Sequence, residues 1–286
     1  MKRIIALLIL AGSIINVNAG HFPAYTLFSS EGKSTDFSKI VKATEGKQFV
    51  FFGEYHDNPI SHWLQFELTR EMYAMHHSHL ILGAEMFEAD NQFIMDEYLK
   101  DLISEKNFQD EVRLWPNYNT DYKPLLEFAK RYKLPFVATN IPRRYANMVY
   151  KNGIESLKEL SDEAKKYIAP LDKFEFDSTV NCYKSLVMAG SHGGYNMAIS
   201  QALKDATMAY FILKHSTSNS VFLHYNGAYH SDHYEGIIHY LLKDTDKKKI
   251  LTISTVMQSD INKLEESNQG LADFIICVPE TMTRTH

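Results

Sequence analysis

Cysteine is scarce: Cys182 and Cys277 are the only two in 286 residues. Neither has the spacing of a metal site, and no disulfide scaffold can hold a chain this long. Cys277 lies in the strand-like run Phe274–Val278 and is expected as a buried apolar filler. Positive charge is not in excess either. The formal net charge of −5 argues against nucleic-acid binding as the main task. Lys247-Lys248-Lys249 then reads as a solvated loop. No apolar run is long enough to cross a bilayer; the run Ile4–Leu10 falls well short. There is no Gly-x-Ser-x-Gly elbow, which removes the usual serine-hydrolase triad. The glycine cluster Gly190–Gly194 lacks the Lys-Ser/Thr of a phosphate loop. No internal repeat and no long low-complexity tract occurs.

The short apolar run has a use of its own. Lys2 and Arg3 precede it, and Val17-Asn18-Ala19 supplies small residues for cleavage before Gly20. Residues 1–19 are therefore expected to be a signal peptide, and the chain to be exported to the periplasm or to the surface of a cell-envelope membrane. Leu10-Ala11-Gly12-Ser13 matches a bacterial lipobox in three positions, with Ser13 where the lipidated Cys would stand. The bland reading is a chance match inside a small-residue leader. The sharper reading is a lipoprotein whose Cys is lost or replaced.

What is present is organised around Phe51-Phe52-Gly53-Glu54-Tyr55-His56-Asp57-Asn58-Pro59. An apolar run ends at Phe52, as in a buried strand. Pro59 suits the first turn of a helix, with Asp57 or Asn58 as its cap. Ile60, Leu64, Leu68, Met72 and Met75 then recur at helical spacing. The stretch is thus strand, tight turn and helix. In an open α/β sheet, ligands bind at the carboxyl ends of such strands.

The rest of the chain alternates in the same way. Strands are expected over 80–87, 134–139, 220–225, 249–255 and 274–278, and an extended entry over 25–28. Helices are expected over 36–43, 59–77, 89–102, 108–114, 122–132, 195–214, 234–242 and 261–266. The near-continuous apolar strands predict a parallel buried sheet. Ala198, Ala202, Ala206 and Ala209 form a small stripe that permits close packing of the 195–214 helix. The fold class is therefore α/β: a mostly parallel twisted sheet with helices on both faces and a smaller helical subdomain. The α/β domain takes residues 20–142 and 195–286. Residues 143–194, polar and strand-free, are read as a helical insertion over the strand ends, irregular from Lys173 onward. Cys182 falls in that polar segment.

Four residues fall at or just past strand ends: Glu54, His56, Glu85 and His230. Parallel strands bring such ends to one edge, so the four can converge. Two carboxylates and two imidazoles suit a divalent metal, or acid–base work. For any one of them alone the bland reading, a hydrogen bond to a neighbouring turn, is the better one. His76, His77 and His79 sit at a helix C-terminus, where cationic groups suit the dipole, and are read as structural.

Gly53-Glu54-Tyr55-His56, Gly83-Ala84-Glu85-Met86-Phe87, Asn140-Ile141-Pro142-Arg143, Gln201–Ala209 and Gly227-Ala228-Tyr229-His230 occur in this order. Each is weak alone, but the ordered set resembles the ChaN haem-binding lipoprotein family, within the Tiki and erythromycin-esterase-like superfamily. The resemblance covers about Phe49 to His239. It implies a non-enzymatic, exported haem-binding protein of bacterial haem and iron acquisition. The alternative it carries is a metal-dependent hydrolase using Glu54, His56, Glu85 and His230. It also implies partners: haem, a second copy of the chain linked through haem, and an outer-membrane haem receptor.

Ferric haem iron can be held by Tyr phenolate or by His. With 17 Tyr in the chain, any single one is more often an amphipathic packing residue than a ligand. The insertion and its edge offer Tyr145, Tyr150, Tyr183, His192 and Tyr195. Tyr150 is preferred as the iron ligand because Met148 and Val149 precede it and Lys151 follows. Arg143, Arg144 and Lys151 are the expected propionate partners. Met188 and Met197 flank the glycine loop; a thioether can be an axial ligand, but Met there is more often a gap filler.

Overall fold

A computed structural model describes residues 23–189 and 194–285. The leader, Ser13, His192 and most of the glycine loop lie outside the described residues. Among the described residues one sheet contains eight strands: β1 (Thr26–Ser29), β2 (Ser34–Thr35), β3 (Phe49–Glu54), β4 (Leu80–Glu88), β5 (Phe136–Asn140), β6 (Val221–Gly227), β7 (Ile250–Gln258) and β8 (Phe274–Pro279). Their order across the sheet is β2-β1-β8-β7-β3-β6-β4-β5. The six from β8 to β5 are mutually parallel, while β1 runs antiparallel to β8 and to β2. The helices are α1 (Phe37–Ala43), α2 (Pro59–His76), α3 (Gln92–Leu99), α4 (Glu105–Glu111), α5 (Lys123–Tyr132), α6 (Arg143–Asn152), α7 (Asp162–Lys165), α8 (Asn181–Ala189), α9 (Gly194–His215) and α10 (Ile237–Leu241).

The period-two alternation of β3 places its side chains in two separate cores. Val50 and Phe52 join α2 and α5 on one face; Phe49 and Phe51 join α9 and α10 on the other. The alanine stripe of α9, Ala198–Ala202–Ala206–Ala209, is buried on the second face as its spacing predicts. A third cluster joins α6 to α9 through Ala146, Val149, Ile199 and Leu203. α2 begins as expected, with Pro59 in its first turn; the cap is Asn58, whose Oδ1 accepts from the Ser61 N–H at 2.9 Å.

Several elements differ from expectation, each for a local reason. No helix forms over 261–264, because the Gln258 side chain bonds the Lys263 carbonyl (2.6 Å) and the Glu265 N–H (3.2 Å). Those groups need no helical ladder, and only a short 3-10 turn, Glu266–Asn268, remains. Conversely, 173–194 is not all irregular: it contains α8. The helix is started from a distance, since the Glu235 carboxylate accepts from the N–H of Asn181 (3.3 Å) and of Cys182 (2.7 Å). The helix expected from Ala89 is a 3-10 turn followed by α3. α4 begins three residues earlier than expected, at Glu105, because the Ser104 hydroxyl accepts from the Asn107 N–H as its cap. α10 starts only at Ile237 because His233 and Tyr234 have φ of 58° and 61°. Cys182 and Cys277 are both free, and Cys277 is buried.

β5 is an edge strand, and its outer side is occupied. The Gln92 amide donates to the Phe136 carbonyl (2.9 Å) and accepts from the Ala138 N–H (2.6 Å). Inside the sheet, Gly83 on β4 makes room for a neighbour. A methyl added there would stand 2.7 Å from the buried Phe222 ring and 3.3 Å from the Thr139 methyl. Gly83→Ala is expected to destabilise the fold by about 1–3 kcal/mol in urea titration, the usual cost of overpacking. An unchanged midpoint would mean that the ring yields freely.

Candidate functional site

The strand order explains how distant motifs meet. β6 is inserted between β3 and β4, so the segment after β6 emerges between the ends of the other two. Glu54 closes β3, with His56 just after it. Glu85 lies in β4, next to the irregularity between Ala84 and Glu88. His230 follows β6 in a 3-10 turn. His56, Glu85 and His230, with Asn140 at the end of β5 and Ile141 after it, edge a cleft of about 650 Å³, whose other walls include Trp115, Arg143, Gln201, Lys204 and Tyr229.

The floor has two carboxylate–imidazole units. In the first, buried Glu54 receives hydrogen bonds from the His56 ring (Nδ1, 2.8 Å), the Tyr122 hydroxyl (2.8 Å) and the Gln65 amide. The His62 ring lies 3.6 Å from the same carboxylate. Burial disfavours the Glu54 charge, but His62, His56 and Gln65 outweigh it and keep the carboxyl below its ordinary range. The His56 ring is partly exposed to the cleft and lies edge-on to Trp115 at 4.7 Å. Burial opposes its charge, yet the bond to Glu54 and the field of Glu85 raise its pKa. The backbone of this loop is held too: Asn117 donates to the His56 carbonyl at 2.7 Å.

In the second unit the His230 ring is clamped. Nδ1 meets Asp205 Oδ1 at 2.6 Å, and Nε2 meets Glu85 Oε1 at 3.2 Å. The other Glu85 oxygen accepts from the Gly227 N–H at 2.8 Å, and Asp205 also accepts from the Tyr183 hydroxyl at 2.7 Å. Burial alone would neutralise the ring, but Glu85 and Asp205 overcome it and push its pKa up to about 10. Glu85 is disfavoured by burial and held well below the usual carboxylate range by His230. Gly227 joins the two units. Any side chain there would stand 2.8 Å from His56 Nε2 and 3.6 Å from Glu85 Oε2.

The sequence-derived candidates fall in two places. Glu54, His56, Glu85 and His230 do come together, but as hydrogen-bonded pairs; among the described residues no group of three or more His, Cys, Asp or Glu side chains is arranged to hold a metal ion. Arg143 lines the cleft. Tyr150 and Lys151 are exposed at the far end of α6. Tyr145 is half-buried; the Arg144 guanidinium stacks on its ring at 4.4 Å and donates to its hydroxyl at 3.2 Å. Arg144 also pairs with Asp90, so it is already engaged. Tyr183 is buried and committed to Asp205. Tyr195 is exposed and lies edge-on to Phe176 at 5.5 Å. Asp205 and Lys204 were within a recognised motif block without an assigned role. Gln65, Trp115 and Tyr122 had no signal in the sequence beyond their residue type.

The clamp makes stability depend on pH in a definite direction. The His230 pKa is raised from an ordinary 6.5 to about 10. Its contribution is therefore complete below about pH 6.5 and is lost as pH rises through about 10. The gap in urea stability between the wild type and His230→Gln is expected to be widest near pH 6. It should shrink by on the order of 1 kcal/mol per pH unit on the alkaline side. A gap that is flat to pH 10 would show that the ring is neutral.

Comparison with known proteins agrees with this architecture. No curated protein matches the chain. Among solved structures, ChaN of Campylobacter jejuni, described as binding haem cofacially, is similar with a TM-score of 0.63 at 15% identity, over 88% of this chain and 96% of that one. An erythromycin esterase in its open conformation is similar with a TM-score of 0.53 at 10% identity, over 91% and 99%. At these identities the likeness shows the shared fold. The family model for haem-binding uptake, Tiki superfamily, ChaN, matches residues 40–241. That match spans most of the chain, including both Gly-x-x-His motifs and the α6 and α9 helices that wall the cleft: the chain belongs to the ChaN haem-binding uptake family.

Proposed function

We propose that this chain is an exported haem-binding protein of bacterial haem and iron acquisition, holding ferric haem through the Tyr150 phenolate between two subunits. One observation carries the reading: matching stripes of α6 and α9 that lead outward from the cleft. Arg143, Asn147 and Tyr150 lie at i, i+4 and i+7 on α6; Lys204, Gln201 and Met197 have the same spacing on α9. The helices run antiparallel and are joined where Ser200 donates to the Ala146 carbonyl at 2.8 Å. Arg143, Gln201 and Lys204 line the cleft, while Tyr150 and Met197 are exposed at the far end. Seven residues of helix rise about 10.5 Å. That separation suits a porphyrin whose carboxylate reaches Arg143 and whose iron lies at Tyr150. The other Tyr candidates fit less well, since Tyr183 and Tyr145 are tied to Asp205 and Arg144.

Met188 on α8, and Tyr195 and Met197 on α9, are further exposed apolar side chains, as is Tyr150. A flat apolar disc held from one side would add an apolar face, and twofold pairing is the commonest way to cover it. The cofacial binding described for the Campylobacter relative supports the same arrangement here. Export would place the protein in the periplasm or at a cell-envelope membrane, where an outer-membrane haem receptor is a fitting partner. The rival reading, metal-dependent hydrolysis, has one observation in its favour: His56, Glu85 and His230 all line the cleft. Stoichiometric binding of a transition metal, abolished by His56→Ala, would move the assignment to it.

Tyr150→Phe is expected to remove the charge-transfer band of a phenolate-bound ferric haem and to weaken haemin binding by about tenfold or more, near 1.4 kcal/mol. Far-UV circular dichroism should not change. An unaltered spectrum would take Tyr150 out of the argument and pass its role to Tyr145, Tyr195 or His192. Sedimentation velocity should show a monomer without haemin and a dimer with it. A holo-protein that stays monomeric at tens of micromolar, well above a modest dimer Kd, would sink the shared site.

A further inference from the structure

The segment after β8 crosses the carboxyl ends of its neighbouring strands. Just past Pro279, the Glu280 N–H donates to the Gln258 carbonyl at the end of β7 (3.2 Å), and the Met282 N–H closes a turn on the Pro279 carbonyl (3.0 Å). The chain then passes β7 and reaches the loop after β3, two strand spacings from where it began, about 10 Å. Three bonds fasten it there. Arg284 pairs with the Asp57 carboxylate at 2.7 Å, the Thr285 N–H donates to the Asp57 carbonyl at 2.9 Å, and the Thr285 hydroxyl donates to Asp121 at 2.7 Å.

The two acceptors belong to the two segments that wall the cleft at His56. Asp57 follows His56 directly, and its carbonyl and carboxylate are each bonded by this strap. Asp121 lies in a single π-helical turn, Tyr118–Tyr122. Such turns are rare and occur mostly at functional sites. This one feeds the first carboxylate–imidazole unit: Tyr122 donates to Glu54, and Asp121 stands 3.4 Å from the His62 ring. Asp121 also accepts from Asn117 at 2.6 Å, and the same Asn117 amide donates to the His56 carbonyl. Trp115 is edge-on to both His56 and Tyr122, at 4.7 Å and 6.0 Å. Thr285 is thus bonded to both segments and spans the joint between them.

The strap is held by polar bonds and not by burial. None of residues 280–285 is buried, and Glu280, Thr281, Thr283 and Arg284 are exposed. A segment with few buried apolar contacts opens locally, without unfolding the domain. The Arg284–Asp57 pair is partly exposed, so it weakens as salt rises. We infer that residues 280–285 form a salt-sensitive strap that governs how firmly the His56–Trp115 wall of the cleft is closed, with Arg284 and Thr285 as positioning residues. Fastened, it holds the loop after β3 against the π turn. Released, it lets the two part on that side of the cleft, while the His230 clamp on the other side stays in place. The inference uses neither Tyr150 nor haem, so it stands or falls apart from the haem reading.

Hydrogen exchange read by mass spectrometry tests it on the full chain, at low salt and in about 1 M sodium chloride, where the Debye length falls to about 3 Å. In the wild type, peptides covering 55–60 and 117–123 are expected to exchange about threefold faster at high salt, the scale of one exposed ion pair. Those of β6 and α9 should not change. Arg284→Gln combined with Thr285→Val should exchange fast in the two wall peptides at both salt concentrations. Thr285→Ser, which keeps the hydroxyl, should behave as the wild type. A second readout comes from Trp115, which Trp63→Phe leaves as the sole Trp; its quenching by acrylamide should rise when the strap is released. If the double variant fails to fold, the wild-type salt response decides the question. Wall peptides that exchange alike in wild type and double variant, a salt response that survives in the double variant, or an equal acceleration of β6 and α9 overturns the proposal.

Discussion

The His230 imidazole, gripped by Glu85 on one side and Asp205 on the other, is the contact on which the rest of the site depends. It ties together β4, the turn after β6 and the middle of α9, the first of them more than a hundred residues from the other two. A charged ring between two carboxylates is tolerable inside a protein only when each partner keeps the others ionised and hydrogen-bonded. Here the Gly227 N–H and the Tyr183 hydroxyl complete the set. The clamp fixes α9 against the carboxyl ends of the strands. Through α9 it also sets where α6, and with it Arg143 and Tyr150, stands relative to the cleft.

Glu54 and His56 repeat this logic on β3 with a different result. Glu54 is fully enclosed by Gln65, Tyr122 and His56, but the His56 ring keeps one side toward the cleft. One unit is therefore a closed structural knot, and the other presents a basic ring to whatever enters. Two carboxylate–imidazole pairs of similar composition divide into a fastening and an exposed surface because of where the backbone puts them.

Much of this was legible in the sequence because it is local or periodic. The parallel strands announce themselves as apolar runs, Pro59 and Asn58 mark the start of α2, and the alanine stripe of α9 states which face is buried. The convergence of Glu54, His56, Glu85 and His230 follows once the strands are parallel. What stayed hidden depends on side chains reaching across the fold. Glu235 starts α8 from more than fifty residues away, and Gln258 replaces a helix with its own amide. No window of sequence contains both partners. The same holds for Trp115 and Lys204, whose place in the cleft depends on how the loop after α4 docks against α9. The engagement of Tyr183 with Asp205 and of Tyr145 with Arg144 was likewise invisible in the sequence.

The Gln92 amide on the outer side of β5 bears on how copies of this chain can meet. By bonding the Phe136 carbonyl and the Ala138 N–H it acts as a single-residue false strand. The opposite border is β2, only two residues long. Neither margin offers the ladder of unpaired backbone groups that would let the sheet grow into a neighbouring molecule. Self-association of this protein is thereby steered away from continuous sheets and fibres. Copies that pair through helical surfaces leave the sheet as it is.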